Sequence, residues 1–223
     1  MSSEIRVLLT LLKYRRLMLE ELSSLTSIST NVITEVLSKY KSYIREVGEE
    51  VYVASPVDLA FDLAMKGVEL ARLSELLNWK DFEEFSARIL SEHGYETVRG
   101  LKLTTPVRLE VDVFGVEPVS RVGIAIDCKH WSSNSTSRLV EAATKHVERL
   151  NKLVKYYLHL KSKYSVLAKA KYIVPAIVTL FTPPIRIHDN VLVFSIREMP
   201  HVIRDLRAVI EEFEIKPVRL QQG

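Results

Sequence analysis

With 223 residues, 47% of them apolar, the chain has material for one large or two small packed cores, which excludes a disordered or fibrous protein. No apolar run reaches membrane-spanning length, the opening MSSEIRVLLTLLKYRR is unlike a secretory signal, and a single cysteine, Cys128, excludes an internal disulfide or a C-x-x-C metal pair; a cytoplasmic protein without a membrane part is expected. The net charge of +3 is unevenly spread: residues 138 to 172 hold nine Lys or Arg against two Glu, a local +7 that leaves the remainder at −4.

Residues 4 to 54 read as three short helices and a hairpin. Ile5, Leu8, Leu9 and Leu12 have helical spacing, LEELSSL follows, and Ser29 or Thr30 can cap a helix that carries Ile33, Val36, Leu37 and Tyr40 on one side. YIREVGEEVYVA then gives two strands about a glycine turn. In this order the segment, residues 1 to 55, resembles a winged helix-turn-helix, a family that serves in DNA contact and also in dimerisation or protein docking. Its seven basic and seven acidic side chains cancel, and Lys39 is the one cation of the presumed recognition helix STNVITEVLSKY. Many Ile, Val, Glu, Lys and Arg with little Gln and Asn follow a thermophile's habit.

Pro56 suits a first helical turn, and the apolar stretch 57 to 77 predicts a connecting helix within 56–79. From residue 80 the expected order is a helix over 80–93 ended by Gly94, strands near 95–99, 107–116 and 121–129, a helix over 137–162, the strands KYIVPAIVTLF and NVLVFSI, and a helix over 198–213. That order predicts an α/β domain, a mixed sheet flanked by helices, over residues 80–223.

Three stretches in this second domain carry chemistry. In GIAIDCKHW, strand alternation puts Asp127 and Lys129 on one face, with Ile126 and Cys128 on the other. In RLEVDVFG, Glu110 and Asp112 share a face, and a hairpin through VEPVSRVG would bring Asp112 near Asp127 and Lys129. Two carboxylates and the Cys128 carbonyl are the hard oxygen ligands that Mg²⁺ or Mn²⁺ prefers. An ammonium beside them can orient water and stabilise charge building on a phosphate, which simple metal storage would not need.

Together DFEEFSARILSEHGY, LEVDVFG and IDCKHW resemble the three ordered motifs of the PD-(D/E)xK nucleases, most of all the Mrr-type restriction endonucleases and the archaeal Holliday junction resolvases. The resemblance covers residues 80 to 131 in detail and implies a restriction-endonuclease-like fold. It also implies a Mg²⁺- or Mn²⁺-dependent DNA endonuclease acting as a homodimer, with Glu83, Asp112, Asp127 and Lys129 as site residues. Asp112, Asp127, the Cys128 carbonyl and Glu83 would hold the metal. The chain departs from the family where Val111 replaces proline, where Asp127 replaces the commoner Glu or Gln, and in a longer loop from Gly94 to Asp112. Arg138, Lys145, Arg149, Lys152 and Lys155 on the following helix are expected to meet DNA phosphates. Glu110 is read as a solvated or outer carboxylate, His130 as a packing residue, Cys128 as a small buried hydrophobe, and Trp131 either as a core-edge residue or as a DNA contact. The alternative is a noncatalytic DNA-binding or regulatory protein that retains the nuclease fold.

Overall fold

The computed structural model describes residues 2–220, and the chain divides into two compact units, Met1–Asp81 and Phe82–Gly223. In chain order the first unit holds helix α1 (Ser3–Tyr14), strand β1 (Arg16–Met18), helices α2 (Leu19–Thr26) and α3 (Thr30–Lys39), strands β2 (Ile44–Val47) and β3 (Glu50–Val53), and helices α4 (Pro56–Met65) and α5 (Leu70–Glu75). The Ser2 hydroxyl caps α1 by accepting from the Ile5 amide at 3.2 Å, and α1 and α3 bury Leu8, Leu9, Leu12, Ile33, Val36 and Leu37. The three strands form an antiparallel sheet in the order β1-β3-β2.

Two local features differ from the sequence reading. Strand β1 is too short to show an alternation; it forms because the free edge of β3 offers partners, pairing Arg16 with Tyr52 and Met18 with Glu50. The single connecting helix expected over 57–77 is two helices, since Gly67 adopts φ +87° after α4 and the Val68 amide turns back to the Leu63 carbonyl at 3.0 Å.

The second unit begins within helix α6 (Trp79–Glu92). Strands β4 (Glu96–Leu103), β5 (Leu109–Val116) and β6 (Val122–Lys129) follow, then helices α7 (Thr136–Lys155), α8 (Tyr157–Lys163) and α9 (Ser165–Lys169). The chain closes with strands β7 (Tyr172–Thr179), β8 (Ile187–His188) and β9 (Val191–Ser195), helices α10 (Met199–Arg204) and α11 (Leu206–Glu212), and strand β10 (Val218–Arg219). The helices expected over 137–162 and 198–213 are thus each broken, and β8 and β10, two residues apiece, escape any periodicity test.

Among the described residues seven strands make one mixed sheet in the order β4-β5-β6-β7-β9-β8, with β10 paired to the start of β7. Strands β4, β5 and β6 are antiparallel neighbours, whereas β6 to β7 is a parallel step crossed over by α7, α8 and α9. Central position explains composition: β7 and β9 bury nearly every side chain, so they read as continuous apolar runs. Helix α7 lays Leu139, Ala142 and Ala143 against Ile177, Val191 and Val193, and Leu150 and Leu153 against a cluster that includes Val111 and Ala125. Helix α6 ends in a Schellman turn, with Gly94 at φ +84°, its amide on the Ser91 carbonyl and the Tyr95 amide on the Leu90 carbonyl. That stop turns the chain directly into β4 and leaves Glu83 in the second turn of a helix anchored by Phe82, Phe85, Ile89 and Leu90.

Candidate active site

The β5–β6 ladder pairs Val113 with Ile126 and goes no further toward the C-terminal end of β6. Where the next rung would form, a side chain replaces backbone: the Cys128 amide donates to Asp112 Oδ2 at 2.8 Å. The amide and carbonyl of one strand residue point to the same side, so the Cys128 carbonyl is aimed at the same gap. Strand β6 continues alone beside β7, paired as far as Lys129 with Thr179.

Asp127 is 1% exposed and meets two cations. Arg149 Nη1 donates to Oδ1 at 2.8 Å, and Lys129 Nζ stands 2.6 Å from Oδ2 as an ion pair. The side chains of Lys129 and Arg149 are 20% and 23% exposed, so both cations reach the surface from a buried carboxylate. Burial pushes the Asp127 carboxyl up, but Lys129 and Arg149 outweigh it and hold the group below its ordinary range.

The other two acids behave oppositely. Burial, with the Asp127 charge beside it, pushes Asp112 up to about 6. Burial, then the charges of Asp112 and Glu110, pushes Glu83 up to about 7, against a smaller opposing pull from Arg99. Glu83, Asp112 and Asp127 therefore feel one another, and two of the three lack the compensation that Asp127 has. Among the described residues no group of three His, Cys, Asp or Glu side chains stands ready to hold a metal ion. At Asp127 both oxygens are turned to cationic side chains.

The neighbouring residues fall as follows. Cys128 is half-buried as a residue, its thiol meets the Ser86 hydroxyl, and the burial of that thiol pushes it well above the ordinary value. The His130 ring packs edge-on against Phe82, 5.2 Å between centroids. Trp131 lies at the margin of the cluster of Leu139, Ala142 and Ile177 and carries the Arg138 guanidinium 4.1 Å over its ring. Glu110 is exposed. Of the five basic residues expected at DNA, Arg138, Lys145, Lys152 and Lys155 are exposed, with Lys145 paired to Glu141 at 2.5 Å. Arg149 differs: it turns inward onto Asp127.

Sequence reading also passed over His146, which is fully buried and whose Nε2 lies 2.9 Å from the Ala125 carbonyl. A signal for both was present. Leu139, Ala142, Ala143, His146, Leu150 and Leu153 form one helical stripe, and Arg149 sits at its edge.

An aspartate on one strand of a mixed sheet, D-x-K at the end of the next and a glutamate on the preceding helix keep the order that the PD-(D/E)xK resemblance implies. Residues 74–175 match the Mrr_cat family, described as a restriction endonuclease, and this stretch of the chain is a domain of that kind. Three solved structures resemble the whole chain weakly. Protein VC1899 from Vibrio cholerae does so with a TM-score of 0.36 at 11% identity, over 94% of this chain and 50% of that one. Restriction endonuclease FokI does so with a TM-score of 0.43 at 12% identity, over 95% of this chain and 45% of that one, and FokI bound to DNA with 0.40 at 12%, over 95% and 46%. The chain thus spans about half the length of the structures it resembles. No curated protein matches it in sequence, and among its described residues no helix is long and apolar enough to cross a membrane.

Proposed function

We propose that the chain is a metal-dependent DNA endonuclease. The observation that supports it most is the meeting of Asp112, Asp127 and Lys129 where the β5–β6 ladder opens, within a restriction endonuclease domain. The donors suit Mg²⁺ or Mn²⁺ in kind: Glu83 and Asp112 are carboxylates short of positive charge, the Cys128 carbonyl faces the same gap, and Asp127 can exchange Lys129 for a stronger cation. When bound there, the metal supplies Lewis-acid activation of water and of the scissile phosphate.

The chain's own groups carry the remaining steps. Lys129, freed from Asp127 Oδ2, orients the attacking water and stabilises charge developing on the phosphate. Glu83, raised to about 7 by burial and the neighbouring carboxylates, would give up its proton as a cation binds beside it. Arg138, Lys145, Lys152 and Lys155 along α7 offer phosphate contacts. We read residues 1–55 as a winged helix, supported by the order helix, strand, helix, helix and hairpin, followed by the linking segment 56–79 and the nuclease domain 80–223. Two strands need two cuts, so a homodimer is the assembly that fits duplex cleavage.

The test is incubation of the full chain with linear, single-stranded and branched DNA, with and without Mn²⁺. Mn²⁺-dependent cleavage that Asp112→Ala abolishes is expected. A second reading, a noncatalytic DNA-binding protein on a nuclease fold, is favoured by the engagement of both Asp127 oxygens. DNA binding without cleavage of any of the three substrates would establish it instead.

A further inference from the structure

Helix α7 is set on strand β6 at two points three residues apart. His146 reaches the Ala125 carbonyl at 2.9 Å, and Arg149 reaches Asp127 Oδ1 at 2.8 Å. Ala125 and Asp127 are about 7 Å apart along the strand, while a helix rises about 4.5 Å over three residues, so the longer arginine spans what the short imidazole need not. The guanidinium is also tied at its near end, since Arg149 Nε donates to the Lys145 carbonyl at 3.3 Å. A planar fork held at both Nε and Nη1 has one orientation, which a lysine in its place could not reproduce.

This leaves Asp127 asymmetric. Oδ1 is held by a group that is permanently charged and anchored on its own helix, whereas Oδ2 faces Lys129, an ammonium on a flexible stem. An incoming cation can displace Lys129 far more readily than Arg149. We infer that Arg149 is a positioning residue of the nuclease site: it fixes Asp127 through Oδ1, so that Oδ2 alone passes between Lys129 and a divalent cation while the carboxylate stays in place. The inference rests on the nuclease reading above and takes Arg149 out of the set of phosphate contacts.

The sign of one consequence is unusual. A carboxylate behind a metal ligand strengthens the ligand, but a guanidinium weakens it, because its charge opposes that of the metal. Removing Arg149 should therefore tighten metal binding even as it slows cleavage. A residue that merely holds the fold together would lower both.

The experiment compares wild type, Arg149→Gln and Arg149→Lys in the full chain. It uses Mn²⁺ titration followed by electron paramagnetic resonance, DNA affinity measured without metal, single-turnover cleavage, and thermal melting to confirm folding. Arg149→Gln should bind Mn²⁺ about five-fold more tightly, cleave about 10- to 100-fold more slowly, and keep its DNA affinity and salt slope. Arg149→Lys, which restores the charge but not the fork, should return Mn²⁺ affinity toward wild type and remain slow. If Arg149→Gln does not fold, the lysine variant carries the test: cleavage by it at the wild-type rate overturns the inference. So does a fall in the salt slope for Arg149→Gln by about one phosphate contact, which would make Arg149 a DNA contact. A wild-type protein that neither binds Mn²⁺ nor cuts removes the nuclease reading itself, and this role with it.

Discussion

Replacing Asp112 by asparagine should stabilise the protein at neutral pH while abolishing its activity. The Asp112 carboxyl is raised from 3.8 to about 6 by burial and by the neighbouring Asp127 charge. In linkage terms, the folded state binds this proton more tightly than the unfolded chain does. No penalty exists below pH 3.8; it grows as pH rises through the interval up to about 6, and above that it is complete. Two pK units correspond to about 3 kcal/mol. Asparagine keeps a neutral acceptor for the Cys128 amide, and the stronger bond that the amide makes to a carboxylate is already contained in the raised value. The gain expected at pH 7.5 is thus about 3 kcal/mol, or several degrees in melting temperature. Thermal melts at pH 4 and pH 7.5 measure it: the two proteins should melt together at pH 4 and separate at pH 7.5, with the variant higher. Adding Mn²⁺ should raise the wild-type melting temperature and leave that of the variant nearly unmoved, because the ligand stabilises only the form that binds it. A variant less stable than wild type at pH 7.5 without metal would refute the view that Asp112 is an uncompensated charge.

Further outcomes follow from the same geometry. Lys129→Ala should slow cleavage by about 100-fold or more and change DNA affinity little, as read by single-turnover cleavage beside a binding titration; Asp127→Asn should in addition weaken the dependence on metal. Removing both Lys152 and Lys155 should lower the salt slope of DNA binding by about two, whereas Lys39→Ala on α3 should leave it unchanged, since residues 1–55 carry no net charge; a larger effect from Lys39 would assign phosphate binding to the first unit. Gly94→Ala, at φ +84°, should destabilise the second unit by about 1 kcal/mol or more, measured by urea denaturation.

What the sequence determined by itself is whatever a local period or an ordered motif can carry. The strand alternation in LEVDVFG and IDCKHW was enough to put Asp112 on one strand and Asp127 with Lys129 on the next, because side-chain direction in a strand depends only on parity. The end of α6 at Gly94 was equally legible, since a left-handed residue closing a helix is a property of one position. Tertiary structure decided what depends on a partner distant in sequence. Strands β1, β8 and β10 exist only because another strand's edge is free to pair. The charge state of the site was hidden for the same reason. Asp127 and Asp112 are the same residue type 15 positions apart, yet one is held ionised by Lys129 and Arg149 and the other is pushed up to about 6. Arg149 read as one more cation on a basic helix. Only the seating of α7 on β6, which pairs His146 with Ala125 and Arg149 with Asp127, turned it from the solvent to the site.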